Sequence, residues 1–290
     1  MIKQVFKKKV FALLLLALAG FTHQGFAASL EKVMEKGVLE VAFYKDFPPY
    51  SYTVKGRQMG VDIDIARELA ARMTLKPSFR LVGADENVDD DLRNNIWKGH
   101  YLGGGTADVM FHMPYDRAYS AAVDQVNFIS PYQLENLVFA VDTKKIGKAP
   151  TVANFVHDPI GVELDTLSDF YLLRAVEGKI AKNVRHYKSI TGAVDALKKG
   201  EIVAVMGPKG EIEGALGKNK PGYITVQHLV TPGLNNGSWA MGLAVKATYT
   251  DLAEKINLHM AAMVNDGTIK KIFDQYGVTY SPPAESPVKK

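Results

Sequence analysis

The sequence predicts an α/β protein, because short apolar runs of strand length alternate with segments of helical periodicity. The first run, 38–44, reads Val-Leu-Glu-Val-Ala-Phe-Tyr and ends before a Pro-Pro turn. The next segment places Ile65, Leu69 and Met73 four residues apart, as one face of a helix requires. The 290 residues are 47% hydrophobic and 23% charged, which is typical of a globular chain with one large domain or two smaller ones.

The later elements continue this alternation. Asp62 or Asp64 is placed to cap the first helix. The acidic residues 89–91 open a second helix that runs toward Trp97, since carboxylates favour the positive end of a helix dipole. Gly277 is the expected stop of the last helix. Further strands are predicted at 78–82, 107–111, 136–141, 160–162, 202–206 and 241–245, and further helices at 167–176, 190–199 and in two segments between 252 and 273.

The first 27 residues are typical of a cleaved signal peptide. A cationic start at 3–9 precedes a short apolar run at 10–21, and Gly25-Phe26-Ala27 supplies small residues before a cleavage site at Ala28. The alternative, a membrane anchor, needs roughly 20 apolar residues, and this run is shorter. We therefore expect a protein that is exported to the periplasm and has no membrane anchor.

The net charge of +4 belongs to this signal peptide. The chain has 35 Lys and Arg against 31 Asp and Glu, and residues 1–27 contain four lysines and no acid, so the rest is balanced at 31 against 31. Composition therefore gives no reason to expect nucleic acid as a partner. The absence of cysteine excludes disulfides, thiolate metal sites and cysteine nucleophiles.

Several patterns that suggest chemistry lack the residues that the chemistry needs. The run Gly103-Gly104-Gly105 is not followed by the Lys and Ser or Thr of a phosphate-binding loop. The acidic run 85–91 lacks the central Gly and closing Glu of an EF-hand, which leaves a solvated helix start or a looser cation site. The histidines after residue 27 form no His-x-His or His-x-x-x-His pair. We predict no catalytic residue, no metal site and no cofactor.

An aromatic cluster follows the first predicted strand. Its members are Tyr44, Phe47, Tyr50 and Tyr52. The carboxyl ends of strands are where α/β sheets place ligands, so these rings are candidate walls of a small-molecule pocket. The alternative is that these rings pack in the core around the Pro-Pro turn. For Phe47 the two interpretations are equally good, whereas for Tyr50 and Tyr52 core packing is the weaker one.

Four motifs together resemble solute-binding protein family 3. They are Phe-Pro-Pro-Tyr-Ser-Tyr at 47–52, Gly-Val-Asp-Ile-Asp-Ile-Ala at 60–66, Phe-Ile-Ser-Pro-Tyr at 128–132 and the ending between 266 and 278. The resemblance implies the type II periplasmic binding protein fold, which has two α/β lobes, a hinge and an interlobe cleft.

The resemblance also implies where the lobes lie along the chain. Lobe 1 is expected at 28–140 and 239–278 and lobe 2 at 141–238, with crossings near Val141 and Ser238. The remaining segment, 279–290, is expected to be a flexible tail, because it is rich in proline and polar residues.

The site of the family's amino-acid receptors is matched only in part. The resemblance implies a cleft in which Arg117 binds an anion, near His112 and Tyr115. The usual Gly-Thr of the second lobe is here Asp165-Thr166. Both carboxylates of the family's second-lobe segment are missing, and Pro208 stands where the second is usual. We therefore expect a poor fit to a generic amino-acid ligand, whose ammonium would lack a charged partner.

The segments that differ from the family's amino-acid receptors resemble one branch of the family, the J-type accessory proteins of PQQ-dependent methanol or alcohol dehydrogenases (MxaJ and XoxJ). The residues that carry this resemblance lie at 91–103, 107–116 and 206–208. It implies a non-catalytic accessory protein with a periplasmic dehydrogenase as partner. Candidate partner-binding residues are Trp97, Lys98, His100 and Tyr101. The alternative is the substrate-binding component of an ABC importer for a small polar solute such as an amino acid or organic acid, with an ABC permease as partner.

Overall fold

A computed structural model describes residues 28–235 and 237–283. The predicted signal peptide, 1–27, and most of the predicted tail, 284–290, lie outside the described residues. Within the described ranges, no helix combines the length and the apolar character that a membrane crossing requires.

Strands and helices alternate along the chain as the sequence predicts. The strands are β1 (Val38–Tyr44), β2 (Tyr52–Val54), β3 (Arg57–Met59), β4 (Lys76–Val82), β5 (Val109–Pro114), β6 (Val126–Asp142), β7 (Ile160–Glu163), β8 (Val184–Tyr187), β9 (Ala204–Pro208), β10 (Ile224–Gln227) and β11 (Ser238–Lys246). The α-helices are α1 (Ala28–Lys36), α2 (Val61–Arg72), α3 (Val88–Leu92), α4 (Arg117–Ala122), α5 (Thr143–Ile146), α6 (Leu167–Arg174), α7 (Ile190–Lys199), α8 (Lys209–Leu216), α9 (Thr250–Asn265) and α10 (Thr268–Gln275). One π-helical turn covers Arg93–Trp97, and short 3-10 turns cover Val152–Val156, Ala175–Gly178 and Ala181–Asn183.

One long sheet joins all the strands except β2 and β3, which form a separate hairpin. The order is β4-β1-β5-β11-β6-β9-β7-β8, with β10 also paired to β6. The pairs β1–β4, β1–β5, β7–β8 and β7–β9 are parallel, whereas β6 and β11 run antiparallel to their neighbours. Parallel pairing places the carboxyl ends of β1, β5, β7 and β9 along edges where loops gather side chains from several strands.

The strand β6 connects two halves of this sheet. Residues 126–136 of β6 pair with β11, and 137–141 pair with β9. The first half of the sheet is therefore β4, β1, β5, β11 and the start of β6, and the second half is the end of β6 with β9, β7, β8 and β10. Strand pairing changes partner between Asn136 and Leu137, four residues before the predicted crossing at Val141. The other crossing, at Ser238, coincides with the start of β11.

Each half has its own apolar core. The large core of the first half contains α2, α9 and α10 on one face of the sheet, with Phe43, Leu69 and Phe273 fully buried or nearly so. A smaller cluster around Leu92 and Met110 covers the other face. The second half has two clusters, one on each face of its sheet. This layering of helices on both faces is the α/β architecture that the alternating pattern predicts.

Two predicted helix starts are corrected. Neither Asp62 nor Asp64 caps α2, because Gly60 is the N-cap and the amides of Val61 and Asp62 donate to the backbone carbonyls of Pro49 and Tyr50. The helix start therefore needs no side-chain acceptor, and Asp62 is free for another role. At α3 the cap is Asn87, whose Oδ1 accepts from the amide of Asp90 at 2.9 Å, and the acidic residues follow it.

The segment after α10 binds the body of the protein. The amide of Thr279 donates to Glu213 at 2.6 Å, and the carbonyl of Ser281 accepts from the amide of Leu134 at 2.9 Å. Lys209 of α8 also donates to the carbonyl of Thr279 at 2.9 Å. The predicted flexible tail from 279 therefore starts too early. These bonds connect the first half of the sheet with α8 of the second half.

Gly60 is expected to be essential for folding of the first half. Its φ is +134°, and a Cβ there would lie 2.1 Å from the carbonyl oxygen of Tyr50. Gly60→Ala combines backbone strain with a backbone clash, so we expect a loss of roughly 3 kcal/mol or more in the free energy of unfolding by urea. Gly56→Ala is the matched control, because Gly56 has φ +78° and nothing within 4 Å of its Cβ position. A loss of about 1 kcal/mol is expected there, and equal losses in the two variants would contradict the assignment.

Candidate functional site

The two halves of the sheet meet at Tyr50. The turn after β1 is closed by reciprocal hydrogen bonds between Phe47 and Ser51, each 2.9 Å long, and it directs the Tyr50 ring toward the second half. Tyr50 is fully buried, and its hydroxyl donates to Glu135 at 2.5 Å. The Cβ position of Gly210, in α8, is 2.0 Å from this hydroxyl oxygen. Only a glycine at 210 therefore allows the tyrosine to pack here.

Glu135 lies on β6 next to the change of strand partner and binds both halves. Its carboxylate accepts from the Tyr50 hydroxyl and from Gln133 Nε2 at 2.9 Å. It also accepts from the amide of Gly210 at 3.3 Å, at the start of α8. Glu135 is 3% exposed and, among the described residues, has no cationic side chain within 4.0 Å. Burial and the nearby charge of Glu135 raise the pKa of Tyr50, so this hydroxyl stays a donor.

Two more carboxylates lie at the ends of second-half strands near Glu135. Glu163 is the last residue of β7 and Glu211 is in the first turn of α8, directly after β9. Burial raises the pKa of Glu211 well above its ordinary value, and the charges of Glu163 and then Glu135 add to the effect. Burial likewise raises the pKa of Glu163, partly offset by the Ile190 amide that donates to it at 3.1 Å. We call Glu135, Glu163 and Glu211 the carboxylate cluster.

An aromatic wall faces this region from the first half. The His112 ring lies 4.2 Å from the Tyr50 ring and 4.9 Å from the Phe47 ring, centre to centre. His112 lies within β5 and has a φ of +62°, which is unusual for a residue with a Cβ. Its Nδ1 is 3.0 Å from the buried carboxylate of Asp62, and Asp62 also accepts from the Tyr132 hydroxyl at 2.6 Å. Asp62 thus holds the wall in place from behind.

The predicted second-half residues are at strand ends in the same region. Asp165 has φ +62°, and its amide donates to Asp169 at 3.1 Å. Thr166 is the N-cap of α6, and its hydroxyl donates to the carbonyl of Glu163 at 2.8 Å. Pro208 ends β9 and pairs with Leu137. These residues shape the loops that carry Glu163 and Glu211, and their contact with a ligand stays a prediction.

The other predicted cleft residues lie apart from one another. The Tyr44 hydroxyl donates to Asp91 at 2.7 Å, which is a contact with the helix that follows β4. Burial and then this carboxylate raise the pKa of Tyr44. Tyr52 begins the β2–β3 hairpin, where it is half-buried. Tyr115 and Arg117 line a separate cavity that also contains Phe128. Their predicted role in the cleft stays untested.

The residues predicted to bind a partner lie on one side of the first half. Trp97 ends the π-helical turn and packs against the cluster around Leu92, so its ring serves the core. His100 and Tyr101 stack at 4.5 Å on an exposed loop with Lys98 before them, and Tyr101 is 87% exposed. This loop is therefore exposed to solvent.

Side chains of the acidic run 85–91 accept hydrogen bonds from neighbouring protein groups. Asp91 accepts from the Asp85 amide at 2.8 Å, and Asp85 accepts from Asn94 Nδ2 at 2.8 Å. The looser cation site considered from the sequence thus finds its carboxylates occupied by neighbours. In the part of the chain that the structure describes, no group of three or more His, Cys, Asp or Glu side chains is arranged to hold a metal ion.

The carboxylate cluster was missed in the sequence. Glu163 and Glu211 are carboxylates of the second half that lie outside the family's usual segment. The expectation that an ammonium group would lack a charged partner stays untested. Glu163 is the last residue of β7, one residue beyond the predicted strand 160–162. Glu211 comes three residues after Pro208. The only available signal was the position of both residues directly after predicted strands, at the edge where ligands bind.

Comparison with known proteins supports the predicted family. The family described as bacterial extracellular solute-binding proteins, family 3, matches residues 39–97, which include β1, the aromatic turn and α2. The match confirms the family resemblance over this segment.

Two proteins of Escherichia coli strain K12 are similar over most of the chain. The ABC transporter arginine-binding protein 1 is 28% identical over 271 residues, 93% of this chain and 98% of that protein. The L-cystine-binding protein TcyJ is 23% identical over 263 residues, 89% of this chain and 90% of that protein.

A solved structure with a similar fold is that of an ancestral cationic amino acid solute binding protein. It has a TM-score of 0.69 and 20% identity, and the match covers 86% of this chain and all of that one. At this identity the comparison shows the fold alone. The predicted type II periplasmic binding protein fold is confirmed.

Proposed function

We propose that this protein is a non-catalytic periplasmic binding protein that delivers a small organic cation, such as a basic amino acid or an amine, to an ABC importer. The observation that carries the proposal is the carboxylate cluster, in which the charges of Glu163 and Glu135 raise the pKa of Glu211 and Glu135 accepts from the amide of Gly210, the residue before Glu211 in α8.

The charge of the cluster favours a cationic ligand. Burial holds the pKa of Glu211 well above its ordinary value, and the charges of Glu163 and Glu135 raise it further. A cation among these groups replaces repulsion by attraction. For charges about 4 Å apart near a protein surface, the attraction is about 4 kcal/mol before desolvation. A carboxylate ligand would instead add to the repulsion, which argues against an organic acid.

The aromatic wall suits the same ligand class. Phe47 and His112 meet edge to face with their ring planes at 84°, and Tyr50 packs beside them. Ring faces attract ammonium and guanidinium groups while also packing against a methylene chain. Glu163 and Glu211 of the second half, with Glu135 and the rings of the first half, would therefore surround a ligand that has both a cationic end and an apolar stem.

Two of the three named proteins agree with this ligand class, and the third is described as L-cystine-binding. One similar protein is described as arginine-binding and the similar solved structure as cationic amino acid binding. Both descriptions concern those proteins, and they support the proposal here because the carboxylate cluster was identified independently of them. In this chain β6 runs from the first half into the second, which provides a connection about which the two halves can move.

A thermal-shift panel on the protein from residue 28 onward tests the proposal. We expect L-arginine, L-lysine or putrescine to raise the melting temperature, because a ligand at 100 times its Kd adds about 2.7 kcal/mol to stability. L-glutamate and succinate are the charge-reversed controls and should give no shift. A shift from the anions alone would contradict the proposal.

A second candidate function is the accessory role for a PQQ-dependent dehydrogenase, which the J-type resemblance suggests. The observation in its favour is the exposed loop with Tyr101 and Leu102, which are 87% and 78% exposed. The comparisons give this partner no support. Capture of a quinoprotein dehydrogenase from periplasm by the wild-type protein, and its loss in Tyr101→Ala, would favour this role over transport.

A further inference from the structure

A second cavity lies at the open edge of the first half of the sheet, away from the carboxylate cluster. Its floor is the start of β6, where residues 126–136 pair with β11 on one side only among the described strands. Helix α4 covers it from one face of the sheet and α9 from the other. The cavity has a volume of about 660 Å³, which is within the roughly 300–1,000 Å³ of small-molecule sites. We call it the edge cavity.

Every residue that lines the edge cavity belongs to the first half. The lining residues used in this argument are Tyr115, Arg117, Phe128, Ser130, Glu254 and Asn257. A ligand here would not touch α8, β7 or β9. Binding at the edge cavity therefore does not need the two halves to close, and it is separable from binding at the carboxylate cluster.

The backbone around the cavity is unusual. Ser130 has a φ of +47°, a conformation that costs roughly 1–3 kcal/mol for a residue with a side chain. The pairing of β6 with β11 also shifts register between Met241 and Leu243. A Cβ on Gly242, at this shift, would lie 3.1 Å from the Tyr115 ring. The glycine thus leaves room for the ring that forms one wall of the cavity.

The strained serine orients a hydrogen-bond donor. Ser130 Oγ donates to Asn257 Oδ1 at 2.5 Å, so the oxygen of the Asn257 side-chain amide is turned toward Ser130. The Asn257 Nδ2 group is left without a protein partner among the described residues, and it is not among their buried unpaired atoms. It is therefore a donor that solvent or a ligand can reach.

The charged groups on the cavity wall have opposite signs. Arg117 and Glu254 both line it, and within the described chain neither forms an ion pair with a protein group. The guanidinium and Asn257 Nδ2 suit a carboxylate, since charge-assisted donors bind it most strongly. Glu254 suits an ammonium, and the rings of Tyr115 and Phe128 suit an apolar body.

From these features we propose that the edge cavity is a second binding site, for a small zwitterion with an apolar body, of the apolar amino-acid type. The carboxylate binds Arg117 and Asn257, the ammonium binds Glu254, and the side chain packs on Tyr115 and Phe128. This inference does not depend on the proposed function of the carboxylate cluster.

Calorimetric titration with three probes tests the site: L-phenylalanine, 3-phenylpropionate, which lacks the amine, and 2-phenylethylamine, which lacks the carboxylate. We expect L-phenylalanine to bind at least about tenfold more tightly than 3-phenylpropionate, because only L-phenylalanine uses both charges of the edge cavity. The same difference is expected against 2-phenylethylamine in the Glu211→Gln variant, where binding of the amine at the carboxylate cluster is weakened. Arg117→Gln should weaken L-phenylalanine by about tenfold or more and leave 2-phenylethylamine unchanged. Glu254→Gln should leave 3-phenylpropionate no weaker than in the wild type.

The side chains of Arg117 and Glu254 are exposed, so we expect Arg117→Gln and Glu254→Gln to fold like the wild type. Asn257→Asp is a further variant that keeps the acceptor for Ser130 but replaces the free donor by an anion, and it should weaken L-phenylalanine. Glu211→Gln serves as the control for the carboxylate cluster and should have no effect on this probe. The proposal is overturned if L-phenylalanine fails to bind at about 10 mM, if Arg117→Gln leaves its affinity unchanged, or if Glu211→Gln removes its binding.

Discussion

At pH 7, Glu211→Gln is expected to make the protein more stable to heat and, at the same time, at least about tenfold weaker in binding L-arginine, a loss of about 1.4 kcal/mol. The first effect follows because burial and the charges of Glu163 and Glu135 raise the pKa of Glu211 in the folded state above its ordinary 4.5. The second follows because the glutamine offers a cation no charge. Opposite signs of the two effects distinguish a binding residue from a structural one.

The gain in stability depends on pH in a defined direction. In the folded protein Glu211 holds its proton more tightly than in the unfolded chain, so the folded state binds more protons at pH values above 4.5 and below the raised pKa. The contribution of Glu211 to wild-type stability therefore falls as pH rises through this window. The glutamine variant lacks this loss, so its advantage should be absent below pH 4.5 and grow above it. Thermal unfolding between pH 4 and pH 8 measures the difference.

Glu201→Gln is the matched control for this variant. Glu201 is exposed and precedes β9, at the end of that strand opposite to Glu211. The substitution removes the same charge, so any effect of net charge alone appears in both variants. We expect the control to keep the wild-type affinity for L-arginine. Equal weakening in the two variants would show that the carboxylate cluster is not the site.

Gly210→Ala is expected to prevent the two halves from packing together and to weaken ligand binding by about thirtyfold or more, a loss of about 2 kcal/mol. A Cβ at 210 would lie 2.0 Å from the Tyr50 hydroxyl oxygen and 3.0 Å from Glu135 Oε2. Each half keeps its own core, so we expect a smaller change in melting temperature than in affinity. Small-angle scattering should show a larger radius of gyration with ligand present.

The double variant Gly210→Ala with Tyr50→Phe tests this explanation. Removing the hydroxyl relieves the closest of the clashes, so the double variant should bind more tightly than Gly210→Ala alone. Tyr50→Phe by itself costs about 1–3 kcal/mol, because it removes one of the three donors to the buried Glu135 carboxylate. Gly222→Ala is the control, with nothing within 4 Å of its Cβ position. If the binding loss of the double variant equals the sum of the losses of the two single variants, the clash with Tyr50 is not the cause of the weaker binding in Gly210→Ala.

The fold could be predicted because its signals are local. The run 38–44 and the helical segment 190–199 have, in the structure, the bounds that the sequence predicts. Asp62 shows the limit of this reasoning, since an acid at a helix start normally caps the helix. Here backbone carbonyls of the preceding turn satisfy the first amides, and the carboxylate is buried against Tyr132 and His112.

The site was only partly predictable because it depends on packing between distant segments. The aromatic wall was predicted, since Phe47 and Tyr50 follow β1 and His112 comes directly after the strand predicted at 107–111. Glu135 could not be recognised, because its role depends on where β6 changes partner. Arg117 lies on the wall of the edge cavity, and its position in the cleft, which the family resemblance suggested, stays a prediction.

The most direct test of the central claim compares L-arginine with L-citrulline by calorimetric titration of the protein from residue 28 onward. The two amino acids have nearly the same shape, and citrulline lacks only the positive charge of the side chain. If the carboxylate cluster binds a cation, L-arginine should bind at least about tenfold more tightly at pH 7, and Glu211→Gln should abolish most of that difference. Equal or tighter binding of L-citrulline by the wild-type protein would contradict the account.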